Sequence, residues 1–277
     1  MIECKQLAFG YQARQPVYQG LDLRLETPGI IGLLGFNGAG KTTLLHLLSG
    51  LRFPWSGECL LDGRSPRRRE AAFLEQICFV PETLELPAQP LRRWLGGRAP
   101  FYPRFDYELF FGLLEEFSLS PDRRLSELSL GFQKKAMLAF SLATRARFLL
   151  LDEPTNGLDI PGKAALRRMW AKYLPEDSFL ILSTHQVREL GAQMDRLLIL
   201  DAGRLLLNAS VAELEELVSF ARHPDRPHPE ALYSQPAIGG YHCLYPPGHP
   251  LGGAEPDLEL FCNAVFEIPG LAQQLNP

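Results

Sequence analysis

No run of the ~18 consecutive apolar residues that a membrane-spanning helix needs occurs in these 277 residues, so any membrane part is expected from another polypeptide. The opening MIECKQLAFGYQ likewise lacks the apolar stretch of a secretory leader. Cysteine is scarce. Cys4, Cys59, Cys78, Cys243 and Cys262 show no C-x-x-C spacing, and five thiols cannot all pair within one chain. That argues against a disulfide framework or a zinc knuckle and fits a reducing cytoplasm. Positive charge is not in excess either: 28 Lys plus Arg stand against 32 Asp plus Glu, a net charge of -4, which disfavours a general nucleic-acid binder. What the chain does have is 46% hydrophobic residues, enough to bury a core in one or two domains and too many for disorder.

The apolar run Ile30-Ile31-Gly32-Leu33-Leu34 predicts a buried strand, followed by glycines and a helix over Thr42 to Ser49 closed by Gly50. Phe148 to Leu151 and Phe179 to Leu182 predict two more buried strands, with a helix over about 161–173 between them. Strands alternating with helices imply a parallel sheet covered on both faces. The first thirty residues and Glu58 to Leu61 read as an antiparallel edge layer with tight turns such as Asp62-Gly63. Residues 90–140 carry no strand signal and read as a mostly helical insertion between the first two parallel strands. The arginine run Arg64, Arg67, Arg68, Arg69 reads as a solvated turn. Composition changes near Phe220: residues 221–277 hold ten of the 23 prolines, and their six acids against two arginines account for the whole net charge. This extension is expected to be Pro/His-rich and linker-like, with Leu258, Phe261, Cys262 and Val265 on one helical face able to dock over 257–266. Its histidines His223, His228, His242 and His249 lie at spacings that no rigid metal site dictates.

Chemistry concentrates in Gly35-Phe36-Asn37-Gly38-Ala39-Gly40-Lys41-Thr42, which satisfies G-x-x-x-x-G-K-[ST] between a predicted strand and a predicted helix. Glycines let the backbone curl so that successive N–H groups point at phosphate oxygens, and the helix dipole adds positive potential. Lys41 reaches the β- and γ-phosphates, and Thr42 is placed to ligate Mg²⁺. The apolar strand ending in Asp152-Glu153 supplies two carboxylates: one at a strand tip can hold Mg²⁺ through water, and its neighbour can orient or deprotonate the attacking water.

With these motifs in place the chain resembles the ATP-binding subunit of an ABC transporter over about residues 1–218. Leu128-Ser129-Leu130-Gly131-Phe132 is similar to the family's signature loop, Asp152-Glu153 to the Walker B end, Pro154 to Asp159 to the D-loop, and Ser183-Thr184-His185 to the switch histidine. The resemblance implies an α/β P-loop NTPase of the ABC type, a RecA-like parallel core with an antiparallel β subdomain and an α-helical subdomain inserted at about 83–140. The cassette would span 1–220. The resemblance also implies ATP and Mg²⁺ as cofactors and a role for each matching position. Tyr11 would stack on adenine, with Phe9 its rival. Gly35, Asn37, Gly38, Ala39, Gly40, Lys41, Thr42 and Thr43 would surround the phosphates. Thr42, Asp152 and Glu82 would serve Mg²⁺, Glu153 would be the general base, and His185 would clamp the γ-phosphate. Ser129 and Gly131 would reach the ATP bound to an opposite cassette.

Two departures from the family pattern stand out. Leu130 and Phe132 replace a glycine and a glutamine of the signature, and Val80-Pro81-Glu82 carries glutamate where the family has glutamine, which keeps an oxygen acceptor and loses an amide donor. Both, with Phe101-Tyr102-Pro103-Arg104-Phe105-Asp106, resemble bacterial antibiotic-resistance and lantibiotic-type exporters. The implied function is an ATP-hydrolysing motor for a separate transmembrane permease, acting as a cassette dimer on the cytoplasmic face of the membrane, in export and without nucleic acid. The alternatives are a soluble ABC ATPase acting on ribosomes or DNA, disfavoured by one cassette with only 87 residues between Lys41 and Ser129, and a low-turnover nucleotide-binding regulator. A guanine-nucleotide switch is disfavoured because no Asn-Lys-x-Asp string occurs.

Overall fold

The computed structural model describes residues 1–187, 193–225, 227, 229–268 and 270–275. In chain order the strands are β1 (Ile2–Gln12), β2 (Gln15–Leu25), β3 (Gly29–Leu34), β4 (Ser56–Leu61), β5 (Ile77–Val80), β6 (Phe148–Asp152), β7 (Phe179–Thr184), β8 (Arg196–Asp201), β9 (Arg204–Ser210), β10 (Ser219–His223), β11 (Tyr233–Ala237) and β12 (Gly240–Tyr245). The α-helices are α1 (Lys41–Leu48), α2 (Ala71–Leu74), α3 (Leu91–Gly96), α4 (Tyr107–Glu116), α5 (Leu130–Ala143), α6 (Ile160–Tyr173), α7 (Val211–Leu217), α8 (Leu258–Glu267) and α9 (Leu271–Leu275).

The central sheet has the order β5-β6-β7-β3-β8-β9. Its first five strands run parallel and β9 closes one edge antiparallel to β8. Period-2 alternation splits each apolar run between two core layers. Ile30, Leu149, Leu151, Leu180 and Leu182 face the layer shared with α5 and α6, whereas Ile31, Leu33, Leu150, Phe179 and Ile181 face the layer shared with α1 and the β1 sheet. Both faces are covered, which is why these strands read as continuous apolar segments. Because parallel strands direct their carboxyl ends one way, the ends of β3, β6 and β7 lie side by side. Ligands of open α/β sheets bind at such an edge.

The antiparallel layer is β2-β1-β4, and helices α3, α4 and α5 follow β5 as the expected helical segment. The insertion follows β5, a four-residue parallel strand that sequence reading leaves unassigned, so it lies between the second and third parallel strands of the chain rather than the first and second. Strands β8 and β9 were likewise not anticipated. Arg64, Arg67 and Arg68 are exposed, as a solvated turn requires.

The extension differs from a linker. β10 spans residue 220 and pairs with β12, which pairs with β11, so the composition change falls inside a strand. Pro236 lies on β11, an edge strand of this sheet, where a missing N–H breaks no ladder, and Pro246 and Pro247 follow the end of β12. Leu258, Phe261, Cys262 and Val265 of α8 are buried in the same cluster as Phe220, Leu244 and the helical segment. The three described tail histidines each meet a partner: His223 Nε2 lies 2.9 Å from the Tyr245 hydroxyl, His242 Nδ1 2.8 Å from Asp257 Oδ2, and His249 Nε2 2.9 Å from Glu230 Oε2. His228 lies outside the described residues.

Candidate nucleotide site

The loop 35–40 joins β3 to α1. Gly38 and Gly40 have φ of 85° and 110°, in the left-handed region, and a Cβ at Gly40 would lie 2.6 Å from the Tyr18 hydroxyl. That buried hydroxyl donates to Gly40 O at 2.7 Å, pinning the last turn of the loop. Helix α1 has no side-chain cap, so its leading N–H groups are left for an anion. Lys41 is buried and its ammonium spans the loop, donating to Gly35 O at 2.7 Å and Phe36 O at 3.3 Å. Ala39 is buried beneath the loop, while Asn37 and Gly38 form its exposed crest.

Thr42 Oγ1 donates to Asp152 Oδ2 at 2.8 Å. Asp152 stands opposite Ser183 in the β6–β7 register, and the Ser183 hydroxyl donates to Asp152 Oδ1 while accepting from Glu153 N at 2.9 Å. One hydroxyl thus aligns both acidic residues. Glu153 is buried, with Oε1 2.9 Å from His185 Nδ1 and 3.8 Å from Lys41 Nζ. Its other oxygen, Oε2, is buried without a hydrogen-bond partner. His185 Nε2 lies 3.1 Å from Gln186 Nε2, an amide donor, so both ring contacts are satisfied by the tautomer protonated on Nδ1. Burial pushes the pKa of Lys41 down, and the charges of Glu153, Asp152 and Glu82 oppose that shift.

The remaining expected residues sit at different distances from this cluster. Tyr11 is 54% exposed and its hydroxyl lies 3.2 Å from Thr43 Oγ1; Arg52 covers its ring at 5.6 Å. Phe9, 6% exposed and packed edge-on to Tyr11, is core and has no open face to offer a base. Glu82 is exposed and accepts from Asn156 Nδ2 at 3.0 Å, toward the loop after Glu153 rather than onto Thr42 or Asp152. Ser129 caps α5, with its hydroxyl accepting from Phe132 N, and a Cβ at Gly131 would approach Gly157 O. Among the described residues neither has a hydrogen bond to the Lys41–Asp152–Glu153 cluster. Sequence reasoning missed Tyr18 and Lys134. Lys134 donates to Glu153 O at 2.8 Å, and the available signal was a lysine on the same helical face as Met137, Leu138 and Ser141.

The family model described as ABC transporter matches residues 18–156. This chain belongs to the ABC transporter family. It is similar to the ABC transporter ATP-binding protein YtrB of Bacillus subtilis (strain 168), 30% identical over 226 residues that cover 78% of this chain and 73% of that one. It is also similar to the cobalt import ATP-binding protein CbiO of Salmonella typhimurium, 29% identical over 236 residues, 80% and 86% of the two chains. A solved ATP binding subunit of an ABC transporter superposes with a TM-score of 0.70 at 25% identity, over 78% of this chain and 92% of that one. The molecule is therefore an ABC-type ATPase subunit with the P-loop NTPase fold. Among its described residues no helix is long and apolar enough to cross a membrane.

Proposed function

We propose that this ABC subunit is a motor in which Mg-ATP, bound at the carboxyl edge of β3, β6 and β7, is hydrolysed with Glu153 as general base and drives a separate permease. The observation that carries this reading is the unbroken contact chain Thr42–Asp152–Ser183 and Lys41–Glu153–His185, drawn from three segments and converging beside an uncapped helix N-terminus. Lys41 and the loop N–H groups hold the β- and γ-phosphates. His185, its Nδ1 held by Glu153 Oε1, turns Nε2 toward the Gln186 amide; to clamp a phosphate oxygen this nitrogen would carry a proton and give up the Gln186 contact. Glu153 Oε2 is the acceptor left for the water proton.

The oxygen donors Thr42 Oγ1 and Asp152, already hydrogen-bonded to each other, suit a hard divalent cation. Mg²⁺, when bound, neutralises charge developing on the phosphates. Tyr11, about half exposed with Arg52 over its ring, supplies the aromatic platform for adenine. Glu82, on the loop leading into the helical segment and hydrogen-bonded to Asn156, would give up that contact to serve Mg²⁺.

Two surfaces support partners. Leu130, Phe132 and Ile160 are exposed around the signature and the start of α6, Ile160 by 83%, as a face closing on a second cassette would be. A cavity of about 860 Å³ lined by Leu51, Leu74, Val80, Leu84 and Phe101 lies between β5 and the helical segment and fits an apolar cytoplasmic helix of a permease. Through that contact the subunit would lie on the inner face of the membrane. Export is the direction that Val80-Pro81-Glu82 and Leu-Ser-x-Gly favour, while CbiO is by name an importer. The test is purification from native membranes: a copurifying permease that stimulates Mg-dependent ATP hydrolysis supports the reading, and a chain that releases no phosphate from ATP under any partner sinks it.

A further inference from the structure

Lys134 has no place among the expected phosphate contacts, yet it is 3% exposed on a helix face otherwise formed by Met137, Leu138 and Ser141. An ammonium is expensive to bury unless it is paired, so a lysine here answers a specific demand. Its Nζ lies 2.8 Å from the carbonyl oxygen of Glu153. Glu153 has φ +43°, a left-handed conformation that is costly for a non-glycine residue and persists only where its surroundings over-determine it.

The peptide groups of Glu153 are held on both sides. Its N–H donates to Ser183 Oγ at 2.9 Å and to Ser183 O at 3.2 Å; its carbonyl accepts from Lys134 and from Asn156 N at 3.2 Å. Ser183 and Asn156 belong to the sheet edge and the adjoining loop. Lys134 reaches in from α5, five residues along the helix from Ser129.

We propose that Lys134 is a positioning residue for Glu153: its ammonium, bonded to the Glu153 carbonyl, keeps that residue in the left-handed turn that aims its carboxylate, and ties the aim to the helix that begins at Ser129. The proposal rests on the reading of Glu153 as general base. Burial pushes the pKa of Lys134 down, and the charges of Glu82, Glu153 and Asp152 oppose the shift. A helix transmits axial displacement as a rigid body, and five residues span roughly 7.5 Å, so whatever seats the start of α5 also seats the base.

The experiment measures kcat and KM for ATP, nucleotide affinity and the thermal midpoint for the wild type, Lys134→Met, Lys134→Arg, Glu153→Gln and the Lys134→Met/Glu153→Gln double variant. Lys134→Met is expected to lower kcat by about 10- to 100-fold with KM and affinity within about two-fold, because the ground state is bound elsewhere. Lys134→Arg, which restores a cationic donor, should recover most of the loss. The double variant should turn over no more slowly than Glu153→Gln alone, since aiming an absent base changes nothing. An unchanged kcat in Lys134→Met overturns the proposal. So does a loss that multiplies in the double variant, or a fall in affinity and thermal midpoint that arginine does not rescue. Should Lys134→Met be insoluble, Lys134→Gln replaces it with the same expectations. A wild type that binds ATP without hydrolysing it sinks the motor reading and the positioning role together, and is recognised because Glu153→Gln then matches it.

Discussion

His185 Nδ1 and Glu153 Oε1 lie 2.9 Å apart although 32 residues separate them in the chain, and the contact leaves Glu153 Oε2 buried and unpartnered. The histidine fixes one carboxylate oxygen and frees the other for a proton. Glu153→Gln therefore removes the acceptor and spares the phosphate loop. The expected outcome is retained ATP binding, accumulation of an ATP-bound dimer, and turnover slower by about 10²- to 10⁴-fold. Sizing the variant by light scattering with Mg-ATP checks it; a monomer at saturating nucleotide with unchanged turnover contradicts it.

Tyr11 and Lys41 separate affinity from chemistry. Tyr11→Ala removes an exposed ring whose stacking on a base is worth about 1–3 kcal/mol, so ATP affinity should fall about 5- to 150-fold with kcat at saturation nearly intact. Lys41→Ala should abolish binding altogether. Calorimetric titration of both variants distinguishes the two effects, and unchanged affinity in Tyr11→Ala would remove the stacking role.

The Asn156–Glu82 hydrogen bond joins the loop after Glu153 to the loop that enters the helical segment. If this contact relays metal-site occupancy to the permease, Glu82→Ala and Asn156→Ala should both raise the Mg²⁺ requirement and weaken permease stimulation, with Glu82→Gln milder because its amide keeps an oxygen acceptor. ATPase rate against Mg²⁺ concentration, with and without permease, reads this out. Superimposable titrations would reduce Glu82 to a solvated turn residue.

Phe261 is fully buried where α8 meets Phe220 and Leu244. Phe261→Ala should cost about 3–5 kcal/mol of stability, the usual range for emptying a buried aromatic site. A chain ending near residue 220 uncovers the same apolar surface and should aggregate. Chemical denaturation of Phe261→Ala and the solubility of the truncated chain test this; a soluble, ATP-binding 1–220 fragment would return the extension to the status of a linker.

Much of this molecule was legible in short patterns. Ile30 to Leu34 followed by Gly35 to Thr42, and Phe148 to Leu151 followed by Asp152-Glu153, are each self-contained: burial on both sheet faces demands an unbroken apolar run, and phosphate binding demands glycines and a helix start immediately after it. Local chemistry of that kind determines both element and motif. Phe9 against Tyr11 could not be settled this way, because both rings fit an edge strand and only the packing of Trp55 and Tyr11 around Phe9 closes one of them off. The four-residue strand β5 was too short to carry a period.

The docking face Leu258, Phe261, Cys262 and Val265 packs as its helical pattern implies, whereas the linker-like expectation for the rest of the extension fails for a related reason. Proline content predicts poor packing on average, whereas Pro236 escapes that cost by lying on an edge strand, a property of the sheet and not of the segment. Ser183 bridging Asp152 and Glu153, Glu82 turned to Asn156, and Lys134 held against the Glu153 carbonyl are likewise contacts between residues 19 to 74 positions apart. The sequence by itself determined the phosphate loop, the acidic strand end and the alternation of strands and helices, since each depends on neighbours along the chain. Which carboxylate oxygen stays free, which lysine is buried beside it and what covers the core from the tail were decided by tertiary packing, because those outcomes depend on distances that no local period encodes.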